Sequence, residues 1–281
     1  QASKTIKQVS KLFGADLVGI CKFDERWVYT QRYARSSSKG KPEGLPVDLP
    51  ENLQGVIVIG QAMDHDLVDT VPSALSGAAV GLGYSKDALV LLATAQWLLN
   101  LGYSAVPTLN DTALAIPLAI QAGLGEYGRH GMVITREFGP RVRFGKIFTN
   151  APMAFDNQVE FGVTKFCEKC RKCTNACPPK AIPDGEPSPV KLNLSSISGV
   201  KKWSVDGEKC FSYWAKIVSD CMICMRVCPY NKDFTKFRHK IGLRLASTKL
   251  RNIMLMLNDF LGYGERLKPK LWWNGESRRK I

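Results

Sequence analysis

Residues 166–182 read FCEKCRKCTNACPPKAI and place four of the chain's nine cysteines within eleven positions. The spacing is Cys-x2-Cys-x2-Cys-x3-Cys-Pro, at Cys167, Cys170, Cys173, Cys177 and Pro178. Two-residue gaps turn successive thiolates inward onto one cluster, and the proline blocks helix continuation. A second group follows at Cys210, Cys221, Cys224 and Cys228, with Pro229 behind it. In paired motifs of this kind the fourth cysteine of a run ligates the other cluster. The spacing therefore predicts one [4Fe–4S] centre on Cys167, Cys170, Cys173 and Cys228, and another on Cys177, Cys210, Cys221 and Cys224. An insertion, FSYWAKIVSD (211–220), separates Cys210 from Cys221. Two zinc sites are the competing reading, and the interleaved order of eight cysteines argues against it.

Two clusters make a wire, not a reaction, so the residues before 160 are expected to receive the electrons. A chain of 281 residues with 45% apolar content has room for a real core, as one large domain or two modest ones. No run of eighteen apolar residues occurs, which argues against a membrane span. The longest apolar-rich segment, DALVLLATAQWLLNLG (87–102), contains Gln96 and Asn100 and reads as a buried helix. The ninth cysteine, Cys21 in DLVGICKF, reads as an inert buried thiol. The net charge is +14, and residues 231–281 hold 13 basic and 4 acidic residues. Such a tail suits nucleic acid, an anionic lipid surface or an acidic partner, or is simply a solvated basic face.

Before residue 160, strand-like and helix-like pieces alternate. KTIKQVSKLFG (4–14) predicts a helix with Ile6, Val9, Leu12 and Phe13 on one face and Gly14 as its stop. DLVGICKF, GVIVIGQAM (55–63), SAVPTL (104–109) and VRFGKIFTNAPM (142–153) read as strands. RSSSKGKPEGLPVDLPEN (35–52) reads as a loop. Ser85 and Asp87 suit the cap and first turn of a helix over 86–100 that Gly102 ends. TALAIPLAIQAGLG (112–125) predicts a second helix, kinked at Pro117. Apolar helices on a sheet make an α/β or α+β core over 1–160. A cluster module over 161–232 and a basic segment over 233–281 complete the expected division. No Walker loop or internal repeat is present.

GLGYSK (81–86), AIPLAIQAGLGEYGRHGMVITREFGPRVRFGKIFTNAPM (115–153) and the two cysteine groups strongly resemble corrinoid-dependent respiratory reductive dehalogenases, over nearly the whole chain. That resemblance implies an α+β, nitroreductase-like corrinoid-binding domain joined to a two-cluster bacterial ferredoxin-like module, with the basic segment packing back on the core. It implies a base-off cobamide, reduced to Co(I) by the two [4Fe–4S] clusters, that removes halide from an organohalide with two electrons and one proton. The family's proton donor matches Tyr84, its neighbouring arginine matches Arg143, and its polar residue between them matches Asn110. Arg141 is the competitor for Arg143. A phenol stays protonated at neutral pH, and a guanidinium beside it stabilises the phenolate that forms. Of the three histidines, His65, His130 and His239, none lies in an Asp-x-His-x-x-Gly pattern, so none is expected below cobalt. No residue is assigned to the corrinoid itself. Trp214, Tyr213 and Trp27 are candidate walls of an apolar substrate pocket.

The resemblance further implies a halogenated organic substrate, a membrane-anchor protein, a respiratory electron donor and a possible homodimer, with no nucleic acid. It puts the protein peripherally on the outer face of the cytoplasmic membrane in organohalide-respiring anaerobes. The family's export signal and much of its N-terminal extension are not seen in this sequence, which keeps a cytoplasmic location as the alternative. Two other functions compete. An epoxyqueuosine reductase-like corrinoid enzyme acting on tRNA would use the basic tail, and a plain electron-transfer protein would need only the module after residue 160.

Overall fold

The structure is a computed structural model that describes residues 1–34, 43–234 and 236–275. In chain order the elements are α1 (Ala2–Leu12), β1 (Leu17–Lys22), β2 (Gln31–Ala34), β3 (Glu43–Pro46), β4 (Gly55–Ala62), α2 (His65–Asp69), α3 (Ala74–Asn100), β5 (Ala105–Thr108) and α4 (Ala115–Gln121). Then come β6 (Glu126–Tyr127), β7 (Val133–Ile134), β8 (Val142–Thr149), α5 (Val163–Lys169), α6 (Lys172–Ala176) and α7 (Gly207–Ile217). The chain closes with α8 (Ile223–Arg226), α9 (Phe237–Ala246), α10 (Arg251–Phe260) and α11 (Pro269–Trp273). Part of the expected loop over 35–52 lies outside the described residues, and its later part forms β3, which pairs antiparallel with β2.

Two compact units divide the chain. The first comprises 1–61, 83–124 and 143–159. Its sheet has the order β1-β4-β8-β5, with Leu17 opposite Gly60 on one side and Ala105 opposite Thr149 on the other. The β-branched runs behave as their composition demands: Ile20, Ile57, Ile59 and Ile147 are wholly buried with Ile6, Val90, Leu91 and Leu98. Each such side chain contributes about 1.5–3 kcal/mol by leaving water. Gly14 has φ 108° and ends α1 as expected, but Leu12 is 81% exposed, and Ser10 takes the buried place beside Ile6 by donating to the Ile6 carbonyl.

The helix expected over 86–100 begins instead at Ala74 and runs 27 residues. Ser73 and Ser76 cap its start, each accepting the other's backbone N–H at 3.2 Å. Ser85 and Asp87 are therefore mid-helix rather than capping residues, and Tyr84 stands in a helix rather than after a glycine turn. Gly77, Gly81 and Gly83 cost about 1 kcal/mol each against alanine, which the capped and packed helix tolerates. By length and composition α3 would pass for a membrane-crossing helix, yet one face packs in the core while Leu89 and Leu92 remain exposed. Pro117 falls in the first turn of α4, where its missing N–H leaves no bond unmade, so it is not a mid-helix break.

The second unit comprises 62–82, 125–142 and 160–281. Short helices carry the cysteines, and the core is Ile134, Val163, Phe166, Trp203, Tyr230, Phe234 and Met254. The basic segment packs within this unit. Ala246 and Met254 join its core, and the Leu267 N–H reaches the Asp69 carbonyl at 2.9 Å.

Candidate active site and metal centres

Three elements of the first unit bring Tyr84, Asn110 and Arg143 together. Tyr84 projects from α3, Asn110 from the loop after β5, and Arg143 from the start of β8. Asn110 Nδ2 donates to the Tyr84 hydroxyl at 2.8 Å. The Arg143 guanidinium lies over the Tyr84 ring, 3.8 Å from its centroid, a close cation–π geometry. The phenol oxygen is thus an acceptor toward Asn110, which leaves its own hydrogen free to donate. Arg143 Nε is buried without a hydrogen-bond partner among the described residues. The competitor Arg141 does other work: it is buried in the second unit, donating to the Met63 carbonyl at 3.1 Å and the Lys232 carbonyl at 3.2 Å.

Two buried charges behind these residues escape sequence reading. Asp87 is 2% exposed, and burial pushes its carboxyl up to about 7 against the pull of Lys146, Arg143 and the Gly145 N–H. Lys146 is wholly buried and is brought down to about 8, with Asp111 and Asp87 opposing that shift. Its ammonium donates to the carbonyls of Leu109 and, at 3.3 Å, Ala113. Their one sequence signal is a charge inside an otherwise apolar helix or strand.

Of the pocket candidates, Trp27 is half-buried in a short 3-10 turn, with Arg26 5.6 Å from its ring centroid. Its carbonyl accepts the Leu114 N–H at 2.8 Å, which ties that turn to the segment after Asn110. Tyr213 and Trp214 are half-buried on α7 in the second unit, and Trp214 lies beside Cys210. A cavity of about 820 Å³ in the first unit, lined by Lys22, Asp24, Gln121, Phe155 and Asp156 among others, includes none of Tyr84, Asn110 or Arg143.

The eight motif thiols fall into two neighbourhoods of the second unit. Burial raises Cys228 first, and Cys167, Cys170 and Cys173 then raise it further. Burial likewise raises Cys210, followed by Cys221 and Cys177. Burial raises Cys224, followed by Cys173 and then Cys221, Cys210 and Cys177, so the two neighbourhoods adjoin between α6 and α8. Among the described residues no three His, Cys, Asp or Glu side chains are gathered closely enough for a single metal ion. Buried thiolates side by side repel, so a donor set of this kind suits a multi-iron cluster that neutralises it. Cys21 stands apart in β1, buried and pushed up to about 12, as an inert thiol should be.

Arg129 belongs with the first neighbourhood and was not singled out from sequence. It is fully buried, stacks 4.7 Å from the Trp203 ring centroid, and donates to the carbonyls of Cys167, Pro183 and Gly185. Its charge draws the Cys167, Cys170 and Cys173 thiols back down against burial. The histidines are otherwise engaged. His65 contacts Asp66 and the Asn231 carbonyl, and His239 contacts the Asp233 carbonyl and Tyr263. Burial lowers His130 to about 4 and keeps it neutral, with Nδ1 accepting the Met132 N–H.

These features define a protein that joins an α+β domain bearing a tyrosine site to a double-cluster module. The family described as reductive dehalogenase subunit matches residues 39–153, and the 4Fe-4S double cluster binding domain matches 166–231. A tetrachloroethene reductive dehalogenase of Desulfitobacterium hafniense is 37% identical over 96% of this chain and 55% of its own length. That of Sulfurospirillum multivorans is 33% identical over 96% of this chain and 58% of its own. A solved catabolic reductive dehalogenase superposes with a TM-score of 0.79 at 26% identity, over 94% of this chain and 36% of that one. The chain belongs to the reductive dehalogenase family. It spans about half the length of the curated relatives it matches. An epoxyqueuosine reductase of Lactococcus garvieae is a more distant relative, 30% identical over 46% of this chain and 36% of its own length.

Proposed function

We propose that the protein to which this chain belongs removes halide from an organohalide, R–X plus two electrons and a proton giving R–H and X⁻. The observation that carries the reading is the Asn110–Tyr84 hydrogen bond beneath the Arg143 guanidinium. Cys167, Cys170, Cys173 and Cys228 would hold one [4Fe–4S] cluster, and Cys177, Cys210, Cys221 and Cys224 the other. When bound, these clusters and a corrinoid supply the low-potential electrons that break the carbon–halogen bond; a solved relative is described as B12-dependent.

The chain's own part is the proton. Tyr84 holds it on the phenol oxygen, as a hydroxyl donor within reach of the site. Asn110 fixes the direction of that oxygen and keeps donating to it as negative charge develops. Arg143, stacked on the ring, favours the phenolate by charge. A positioned general acid contributes about 10²–10⁴-fold. Trp27, Tyr213 and Trp214 are proposed to shape the apolar side of the substrate site. A membrane-anchor protein and a respiratory donor are the proposed partners, at the outer face of the cytoplasmic membrane.

The test is halide release by the reconstituted holoenzyme with reduced viologen and a halocarbon panel that includes tetrachloroethene. Tyr84→Phe should keep iron and cobalt contents and lower kcat about 10²–10⁴-fold. Full turnover in that variant would remove Tyr84 as proton donor. Absence of halide release from every halocarbon, with both cofactors loaded, would remove the dehalogenase reading.

A further inference from the structure

Each element that carries a site residue also carries a buried polar group just behind it. On α3, Asp87 follows Tyr84 by three residues and is 2% exposed. On β8, Lys146 follows Arg143 by three residues and is wholly buried. In the loop, the carbonyls of Leu109 and Ala113 flank Asn110 on either side, and one ammonium, that of Lys146, takes both. Gly145 makes room for this layer. A Cβ there would stand 2.6 Å from Asp87 Oδ1 and 2.5 Å from Leu91 Cδ1.

Such a layer is costly. Removing an ammonium and a carboxylate from water costs several kcal/mol each before any attraction is counted. An apolar pair would fill the same volume more cheaply, so packing alone gives no account of these residues. What the ammonium does is visible in its bonds. Asn110 and Asp111 are exposed, and an exposed loop has few contacts of its own to fix a side chain. Two carbonyls held by one buried donor close that loop into a fixed bight around Asn110.

We propose that Lys146, through the Leu109 and Ala113 carbonyls, is the positioning residue that sets Asn110 against the Tyr84 hydroxyl. The inference rests on the reading of Tyr84 as proton donor. Burial lowers Lys146, and the charges of Asp111 and then Asp87 oppose that shift.

The test uses the holoenzyme with Lys146→Met, and Lys146→Gln as a milder second variant should the first fold poorly. Amide hydrogen exchange over residues 109–113 should rise about tenfold or more in Lys146→Met, since bonds from a charged group are lost. Exchange over 166–177 and 221–228 should stay unchanged. kcat for halide release should fall with KM nearly constant, and Lys146→Met should cost nothing further in an Asn110→Ala background. Unchanged loop exchange in both variants overturns the proposal. So does a rate loss of equal size with and without Asn110. Loosening of the loop with full turnover would leave the clamp standing and remove the proton-donor reading instead.

Discussion

The two units hold their buried polar groups in opposite ways. In the first, Asn110 donates to Tyr84 and Lys146 to two carbonyls, while the charges of Lys146 and Arg143 ease the buried Asp87. In the second, the neighbours of a motif thiol are chiefly other thiols, with Arg129 among the charges that ease Cys167, Cys170 and Cys173. The first arrangement is built from groups of the chain alone. The second is arranged for an iron–sulfur guest and has little reason to keep its shape without one. The chemistry of the donors, rather than the degree of burial, decides which part of the protein depends on its cofactor.

The sharpest way to break that comparison is at the crossed cysteines. Cys228→Ser should lower iron from about eight to about four per chain, as should Cys221→Ser, with each removing a different cluster. Electron paramagnetic resonance of the two reduced variants should therefore show different surviving signals. The same surviving signal in both would overturn the crossed assignment. The second unit should also lose far more heat stability in these variants than in Tyr84→Phe. A smaller effect is expected at Arg129. Arg129→Met removes a buried positive charge beside Cys167, Cys170 and Cys173, so the cluster there should become harder to reduce. Potentiometric titration should show a more negative midpoint for one cluster and no change in the other.

The smallest effect is a slope of stability with pH, and it belongs to the first unit. Asp87 is raised from 3.8 to about 7, so between those values the folded chain keeps a proton that the unfolded chain has lost. Its contribution therefore falls as pH rises through that window. Lys146 is lowered from 10.5 to about 8, so its contribution recovers as pH rises from 8 to 10.5. Urea midpoints at pH 4.5 and 7 should differ less in Asp87→Asn than in the parent chain. An identical pH slope in both proteins would show that Asp87 titrates normally.

Much of this was legible in the sequence. Cysteine spacing needs no tertiary information, because successive ligands lie within a turn of one another, and all eight motif thiols lie in the second unit. Buried strands announce themselves by β-branched runs, as GVIVIGQAM does. Tyr84, Asn110 and Arg143, far apart in the chain, were found through family resemblance, and they lie together. What stayed hidden depends on context that the local pattern lacks. Ser85 read as the cap of a helix over 86–100, though the serine pair Ser73 and Ser76 starts it at Ala74. Leu12 continued an apolar stripe that the sheet does not reach. A charge in a strand looks the same whether it faces water, like Lys22, or is sealed from it, like Lys146.

The close approach at Gly145 carries a consequence for anyone altering this protein. The backbone there rests against Leu91 and Asp87 with no space for one more carbon. Positions on the outer face of α3, such as Leu89 and Leu92, meet water and tolerate wide replacement. At 145 even alanine would force the Leu91 and Asp87 side chains to shift, on the element that also bears Tyr84. A mutant library meant to broaden the range of halocarbons should therefore keep that codon fixed.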